Sequence, residues 1–266
     1  MCKMMFCICK VIIYCHKNDL SHCDIKPENF GISDKRIRLT VSRDKVFITS
    51  MCKIIDFGSA FTKISIVKLL EYYQSSKKNQ FVKNYLNQTL EIVGTKGYMS
   101  KNAVKLLYDF KKFIFTVTVP FDSDKIEVLA EYALNILKIN DFYATMITFL
   151  TILTKVRHLS DIYTDLEDFK KHIIENSVFG RSFINKFISK SKFISKFLDY
   201  IHTILMKIVN CDDLSLSSIN LNNLESVLNE KTSRMTQIIT ELNNSLKEFT
   251  RFFFNVIIDI ETRLMK

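Results

Sequence analysis

Only five glycines and two prolines punctuate 266 residues, and no other feature narrows the fold so much. Sheets built from many short strands need frequent tight turns, and those turns draw on glycine and proline. A barrel or sandwich of that kind is therefore disfavoured. Collagen-like, low-complexity and Pro/Gly-rich disordered chains are excluded outright. With 47% apolar residues, the chain can bury a real core as one large domain or two small ones. A mainly helical architecture is expected.

Several function classes recede on the same evidence. No run approaches 18 uninterrupted apolar residues, so no membrane span is expected. The apolar stretch Met4 to Cys15 is broken by Lys10 and lacks a small-residue cleavage site, so it reads as a buried helix rather than a signal peptide. Seven cysteines, six of them within the first 52 residues, show no C-x-x-C pair. Reduced thiols in a cytoplasmic or nuclear protein are expected, not a disulfide framework or a zinc site. The net charge of +10 would suit nucleic acid or an acidic surface. Its lysines, however, are scattered among Ile, Phe and Asn, residues that share AT-rich codons, and no nucleic-acid partner is expected.

Along the chain, Lys3 to His16 reads as a helix inside a larger core. Asn29–Ile32, Val46–Ile48 and Lys53–Ile55 are strand candidates around the mostly polar run Ser33–Asp44. Ile64 to Tyr73 is a short-helix candidate, and Gln74–Gln88 reads as an exposed loop or a loosely packed helix. Helical patterning resumes at Asp124, with Glu127 three residues on as a capping signal. Phe183, Phe187, Ile194, Phe197 and Ile201 recur at helical spacing between lysines, which fits a membrane-surface helix or a core helix with a solvated lysine face. Met235, Ile239, Leu242, Leu246, Phe249, Phe253, Val256 and Ile260 form a heptad seam. Such a seam fits a coiled-coil protein partner through residues 235–260, or docking onto the body of the same chain.

The chemistry-bearing segment is Tyr14–Ile32, YCHKNDLSHCDIKPENFGI. Asp24 and Asn29 flank Lys26, and Pro27 stiffens the loop between them. Asp56-Phe57-Gly58 follows the apolar pair Ile54-Ile55. Together these residues supply a carboxylate to take a hydroxyl proton, a lysine to offset phosphate charge and two oxygen ligands for Mg²⁺. Phosphoryl transfer needs those parts, because its catalysis is mostly positioning and charge neutralisation.

His22-Cys23-Asp24-Ile25-Lys26-Pro27-Glu28-Asn29 resembles the catalytic loop of eukaryotic protein kinases in its serine/threonine wording. Asp56-Phe57-Gly58 resembles their magnesium motif. Gly94-Thr95-Lys96-Gly97-Tyr98-Met99 resembles the end of the activation segment. Asp141-Phe142-Tyr143-Ala144 resembles the start of the buried central helix of the large lobe. The resemblance covers roughly residues 5–230. It implies that Asp24 is the catalytic base, Lys26 contacts the transferred phosphate, Asn29 and Asp56 hold Mg²⁺·ATP, and Thr95 braces the substrate loop and favours Ser/Thr hydroxyls. His22 and Phe57 would be structural.

Departures from the pattern shape the expectation. Only 21 residues precede His22, and neither a G-x-G nor a V-A-I-K-like strand occurs, so the small lobe that roofs ATP is absent from this sequence. Cys23 replaces the arginine that pairs with a phosphorylated activation segment. The expected A-P-E reads Ser100-Lys101-Asn102, and no Arg or Lys lies between Lys207 and Lys231 to pair with a glutamate there. Losing both partners of a buried pair is milder than stranding one. The expected fold is thus mainly α (α+β): a kinase-like large lobe over 1–230, with a short β element near 29–56, insertions near 33–45 and 103–125, and a helical extension over 231–266. The expected function is Ser/Thr phosphotransfer from ATP to a protein substrate, given an N-terminal lobe from upstream sequence or a partner. The alternative is a catalytically inactive interaction module.

Overall fold

The computed structural model describes residues 1–32, 38–42, 45–49, 52–75, 80–92, 95–117, 120–156, 162–176, 184–185, 187, 191–217 and 223–264. In chain order the elements are α1 (Cys2–Lys17), β1 (Leu20–Ser21), β2 (Phe30–Ile32), β3 (Arg38–Ser42), β4 (Lys45–Thr49), β5 (Cys52–Ile54), β6 (Phe61–Thr62), α2 (Lys63–Ser75), α3 (Gln80–Thr89), α4 (Lys101–Thr116), α5 (Ser123–Thr154), α6 (Tyr163–Asn176), α7 (Lys192–Val209) and α8 (Leu224–Leu264). The fold is mainly α with a few short antiparallel strand pairs, as the sequence predicts.

α5 is the axis. Every residue from Tyr132 to Leu150 is buried, and a helix apolar on all sides belongs in the middle of its core. By length and composition α5 could cross a membrane, yet 89% of the qualifying window is buried inside the protein. The cap lies two residues before the expected one, at Asp122. Asp122 accepts a hydrogen bond from the Lys125 amide at 2.9 Å. Asp124 instead sits in the first turn, where its charge favours the positive end of the helix dipole.

α8 lies along α1 and α5. Its seam residues Met235, Ile239, Leu242, Leu246, Phe249 and Phe253 are buried, whereas Ile260 is 47% exposed. The seam is thus covered by this chain's own core. Phe249 sits among aromatic rings, 4.9 Å from Tyr200, 5.3 Å from Phe197 and 5.6 Å from Phe149. α7 adds Ile194, Phe197, Leu198 and Ile201 to the same core, while Lys192 and Lys196 are exposed. That is the core-helix alternative; the earlier part of the pattern, at 183, 186 and 188–190, lies outside the described residues.

The strands differ in detail from expectation. Those expected at Asn29–Ile32, Val46–Ile48 and Lys53–Ile55 appear as β2, β4 and β5, and β2 pairs with β5 through Phe30–Ile54 and Gly31–Lys53. The run Ser33–Asp44 contains a further strand, β3. Arg38-Leu39-Thr40-Val41-Ser42 alternates polar and apolar residues, the two-residue period of a strand, and Leu39 and Val41 face Ile48 and Val46 in register. The rest of that run, 33–37 and 43–44, lies outside the described residues, as do 118–119. Gln74–Gln88 includes most of α3, whose Val82 and Leu86 are buried.

Truncating Phe249 to alanine should cost about 3–5 kcal/mol, the range for a fully buried phenylalanine. Ile260→Ser should stay within about 0.5 kcal/mol of wild type. Urea unfolding of both variants checks the difference between the two ends of the seam.

Candidate active site

A buried carboxylate organises this region. Asp141, fully buried on α5, accepts from the amides of His22 and Cys23 and from the Ser21 hydroxyl, each at 2.8 Å. His16, near the end of α1, adds its Nε2 at 3.2 Å. Charge-assisted hydrogen bonds of this kind are about twice as strong as neutral ones. They hold Cys23 at φ 64°, a left-handed conformation that costs an L-residue about 1–2 kcal/mol. The chain reverses there, and Asp24 follows at the start of the loop.

Asp24, Lys26 and Asn29 are brought together. Lys26 Nζ donates to Asp24 Oδ2 at 2.7 Å, and the Asn29 amide donates to the same oxygen at 3.0 Å and to the Asp24 carbonyl at 2.7 Å. That hydrogen bond to Asp24 raises the Lys26 ammonium above its usual pKa, so Lys26 is charged at neutral pH. Asp24 Oδ1 is buried and has no hydrogen-bond partner among the described residues.

The second segment is sewn to the first by backbone pairing. The Ile55 amide donates to the Asn29 carbonyl at 2.9 Å, extending the β2–β5 ladder by one step. His22 Nε2 meets the Ile55 carbonyl at 2.9 Å, and the Asp24 amide reaches His22 Nδ1 at 3.4 Å. The tautomer protonated at Nε2 satisfies both contacts. The His22 ring also packs edge-on against Phe57, with centroids 4.9 Å apart. Asp56 therefore emerges beside the loop, itself left-handed at φ 62°. Its Oδ1 faces the Gly58 amide at 3.4 Å, and a Cβ on Gly58 would stand 3.3 Å from that oxygen. A side chain at position 58 would require the Asp56 carboxylate to shift by a few tenths of an ångström.

Thr95 closes the arrangement, with its hydroxyl 3.4 Å from Lys26 Nζ. The turn after it needs Gly97 at φ 97°. It is tied down by Tyr98 Oη donating to Thr151 at 3.1 Å and by the Ser100 amide donating to Asn140 at 2.9 Å. Gly94 lies outside the described residues. All five sequence-predicted site residues thus belong to one region, with Lys26 joining Asp24 to Thr95.

The departures also have physical counterparts. Cys23 is buried, and burial pushes its thiol well above the ordinary value, so no charge stands at this position. Asn102, where the resemblance places a buried glutamate, donates to the Val209 carbonyl at 3.1 Å. A neutral bond to a terminal carbonyl of α7 ties α4 to α7 where no ion pair is possible.

Sequence reasoning did not assign roles to Asp141, Ser21 or His16. The available signal was a carboxylate in the middle of an apolar helix, a position that a charge occupies only with several donors around it.

No family model matches the sequence, and no solved structure matches the chain. The chain is 41% identical over 63 residues to the human dual specificity protein kinase CLK1, a match spanning 22% of this chain and 13% of that protein. Over that stretch it is similar to a protein kinase.

Burial holds the His16 imidazole below its usual pKa of 6.5, against a smaller upward pull from Asp141. Between the folded and unfolded values only the unfolded chain binds the extra proton, so stability is full above pH 6.5 and falls as pH drops below it. His16→Gln, which can still donate to Asp141, should flatten that acid-side decline. Melting temperatures of both proteins from pH 8 to pH 5 check the slope.

Proposed function

We propose that the chain carries the catalytic half of a serine/threonine protein kinase site and, completed by an N-terminal lobe from upstream sequence or a partner, transfers the γ-phosphoryl of ATP to protein hydroxyls. The observation that carries this reading is Asp24 Oδ1: buried, unpartnered, and on a carboxylate whose other oxygen is fixed by Lys26 and Asn29. A bare oxygen beside an ammonium suits a base waiting for a substrate proton. That favours catalysis over the inactive-module alternative, which has no use for it.

The residues present fit Mg²⁺. Asn29 spends its amide nitrogen on Asp24, which leaves its side-chain oxygen as the atom for a hard cation. Asp56 supplies an exposed carboxylate, and one or two protein oxygens plus substrate phosphates is the usual Mg²⁺ arrangement. Bound Mg²⁺·ATP supplies the transferable phosphoryl group and neutralises charge on it. Asp24 Oδ1 accepts the proton of the incoming hydroxyl. Lys26, held charged by Asp24, offsets the charge spread over the transferred group. Thr95, at the Lys26 ammonium, fixes the loop against which a Ser or Thr side chain lies.

Two measurements test this reading. Mg²⁺·ATP at a hundred times its Kd should stabilise the chain by about 2.7 kcal/mol, seen as a raised melting temperature that Asp56→Asn abolishes. Phosphate transfer from labelled ATP to casein should drop by about 10²–10⁴-fold in Asp24→Asn, the usual contribution of a general base. Equal transfer by wild type and Asp24→Asn would sink the reading.

A further inference from the structure

Between α2 and α3, within the segment that separates Asp56 from Thr95, lies a groove of about 550 Å³. That volume is in the range of ligand sites. Its walls are apolar and aromatic: Phe61, Leu69, Tyr72 and Tyr85. Tyr72 and Tyr85 meet edge-on, with centroids 6.1 Å apart, and are 47% and 45% exposed. Lys68 and Ser65 line the same groove, and none of its described lining residues is acidic.

The groove is built on a rigid support. Ile66, Leu69, Leu70 and Tyr73 of α2 are buried, and the helix packs on α5. Lys63 bridges to Glu127 at 2.9 Å and to Glu131 at 3.5 Å. Gln74 exchanges two hydrogen bonds with the backbone of Phe121. The outward aromatic face therefore adds nothing that holding α2 in place requires. Phe61, at one end of the groove, pairs with Ser21, three residues before Asp24 in the chain.

Resting on the kinase reading above, we propose that this groove docks an apolar segment of the protein substrate that carries an acidic side chain for Lys68. Charge decides the occupant. A second copy of this chain brings a net charge of +10 to a groove whose one charged lining residue is already a lysine. An acidic segment is attracted to it, and its apolar side chains cover the tyrosine rings. Held there, the segment keeps a neighbouring hydroxyl at high effective concentration over Asp24.

The test is selection of a randomised 12-residue phage library on the full chain, followed by fluorescence anisotropy with the synthetic winners. Selected peptides should combine two or more large apolar residues with Asp or Glu. Their affinity should fall at least tenfold in Tyr85→Ser and in Lys68→Glu, both exposed positions whose variants should keep the wild-type melting temperature. Changing the peptide's acid to lysine should restore binding to Lys68→Glu. No enrichment, enrichment without an acidic preference, or equal binding to the variants overturns the docking site. So does concentration-dependent self-association lost in Lys68→Glu.

Asp24→Asn should bind the peptides as well as wild type does, which separates docking from catalysis. Fused to a serine acceptor, a winning peptide should lower KM with kcat unchanged. An unchanged KM in an active enzyme overturns the substrate assignment. Tight docking without any transfer would overturn the kinase reading and leave the groove a peptide site.

Discussion

Asp141 is the interaction on which the rest of this structure depends. It stands fully buried in the central helix and gathers donors from the end of α1, from β1 and from the loop that follows. A single buried carboxylate is costly unless it is saturated with donors. Here saturation is achieved by folding the end of α1 and the run Ser21–Cys23 onto it. The charge therefore fixes a left-handed reversal at Cys23 that backbone preference alone would reject. Without that reversal Asp24 would not follow into its loop, and Lys26 and Asn29 would have nothing to converge on. The apolar core positions the helix; the carboxylate positions the chemistry.

Where charged partners are lacking, neutral contacts have taken over. Asn102 ties α4 to a carbonyl at the end of α7. Neutral bonds at such joints avoid the desolvation penalty of a buried ion pair. The aromatic rings of α7 and α8 supply area instead, with Phe249 touching four other rings at 4.5 to 5.6 Å. The chain thus keeps its helices together by burial, and the one fully buried carboxylate among the described residues stands at the loop.

Much of the site was legible because its parts lie close in sequence. Asp24, Lys26 and Asn29 share six residues, and their chemistry could be named from residue type and spacing. α1, α2, α5, α7 and α8 were legible from their apolar patterning, down to the seam of α8, whereas α4 was not read as a helix and α3 was left between loop and helix. What could not be read was long-range. Asp141 lies more than a hundred residues from its donors, and nothing local tells a buried carboxylate in an apolar helix which amides it will meet. The cap at Asp122 was passed over for Asp124 because two carboxylates in three residues make equally good caps by type, and only geometry chooses. β3 was hidden because its alternation brings more polar than apolar residues, and composition alone reads such a run as a loop.

The segment between Asp56 and Thr95 shows how the same physics reaches the site from its other side. A loop of this length could be ordered by a phosphate paired with arginine, but Cys23 is buried and uncharged in that role. Order comes instead from two helices. α2 buries Ile66, Leu69, Leu70 and Tyr73, and α3 buries Val82 and Leu86. Side chains of this kind each contribute about 1.5–3 kcal/mol when fully buried. Their sum exceeds what one surface charge pair supplies. Thr95 therefore reaches Lys26 on a scaffold held by the core, and its position follows from the sequence of α2 and α3 without any added charge.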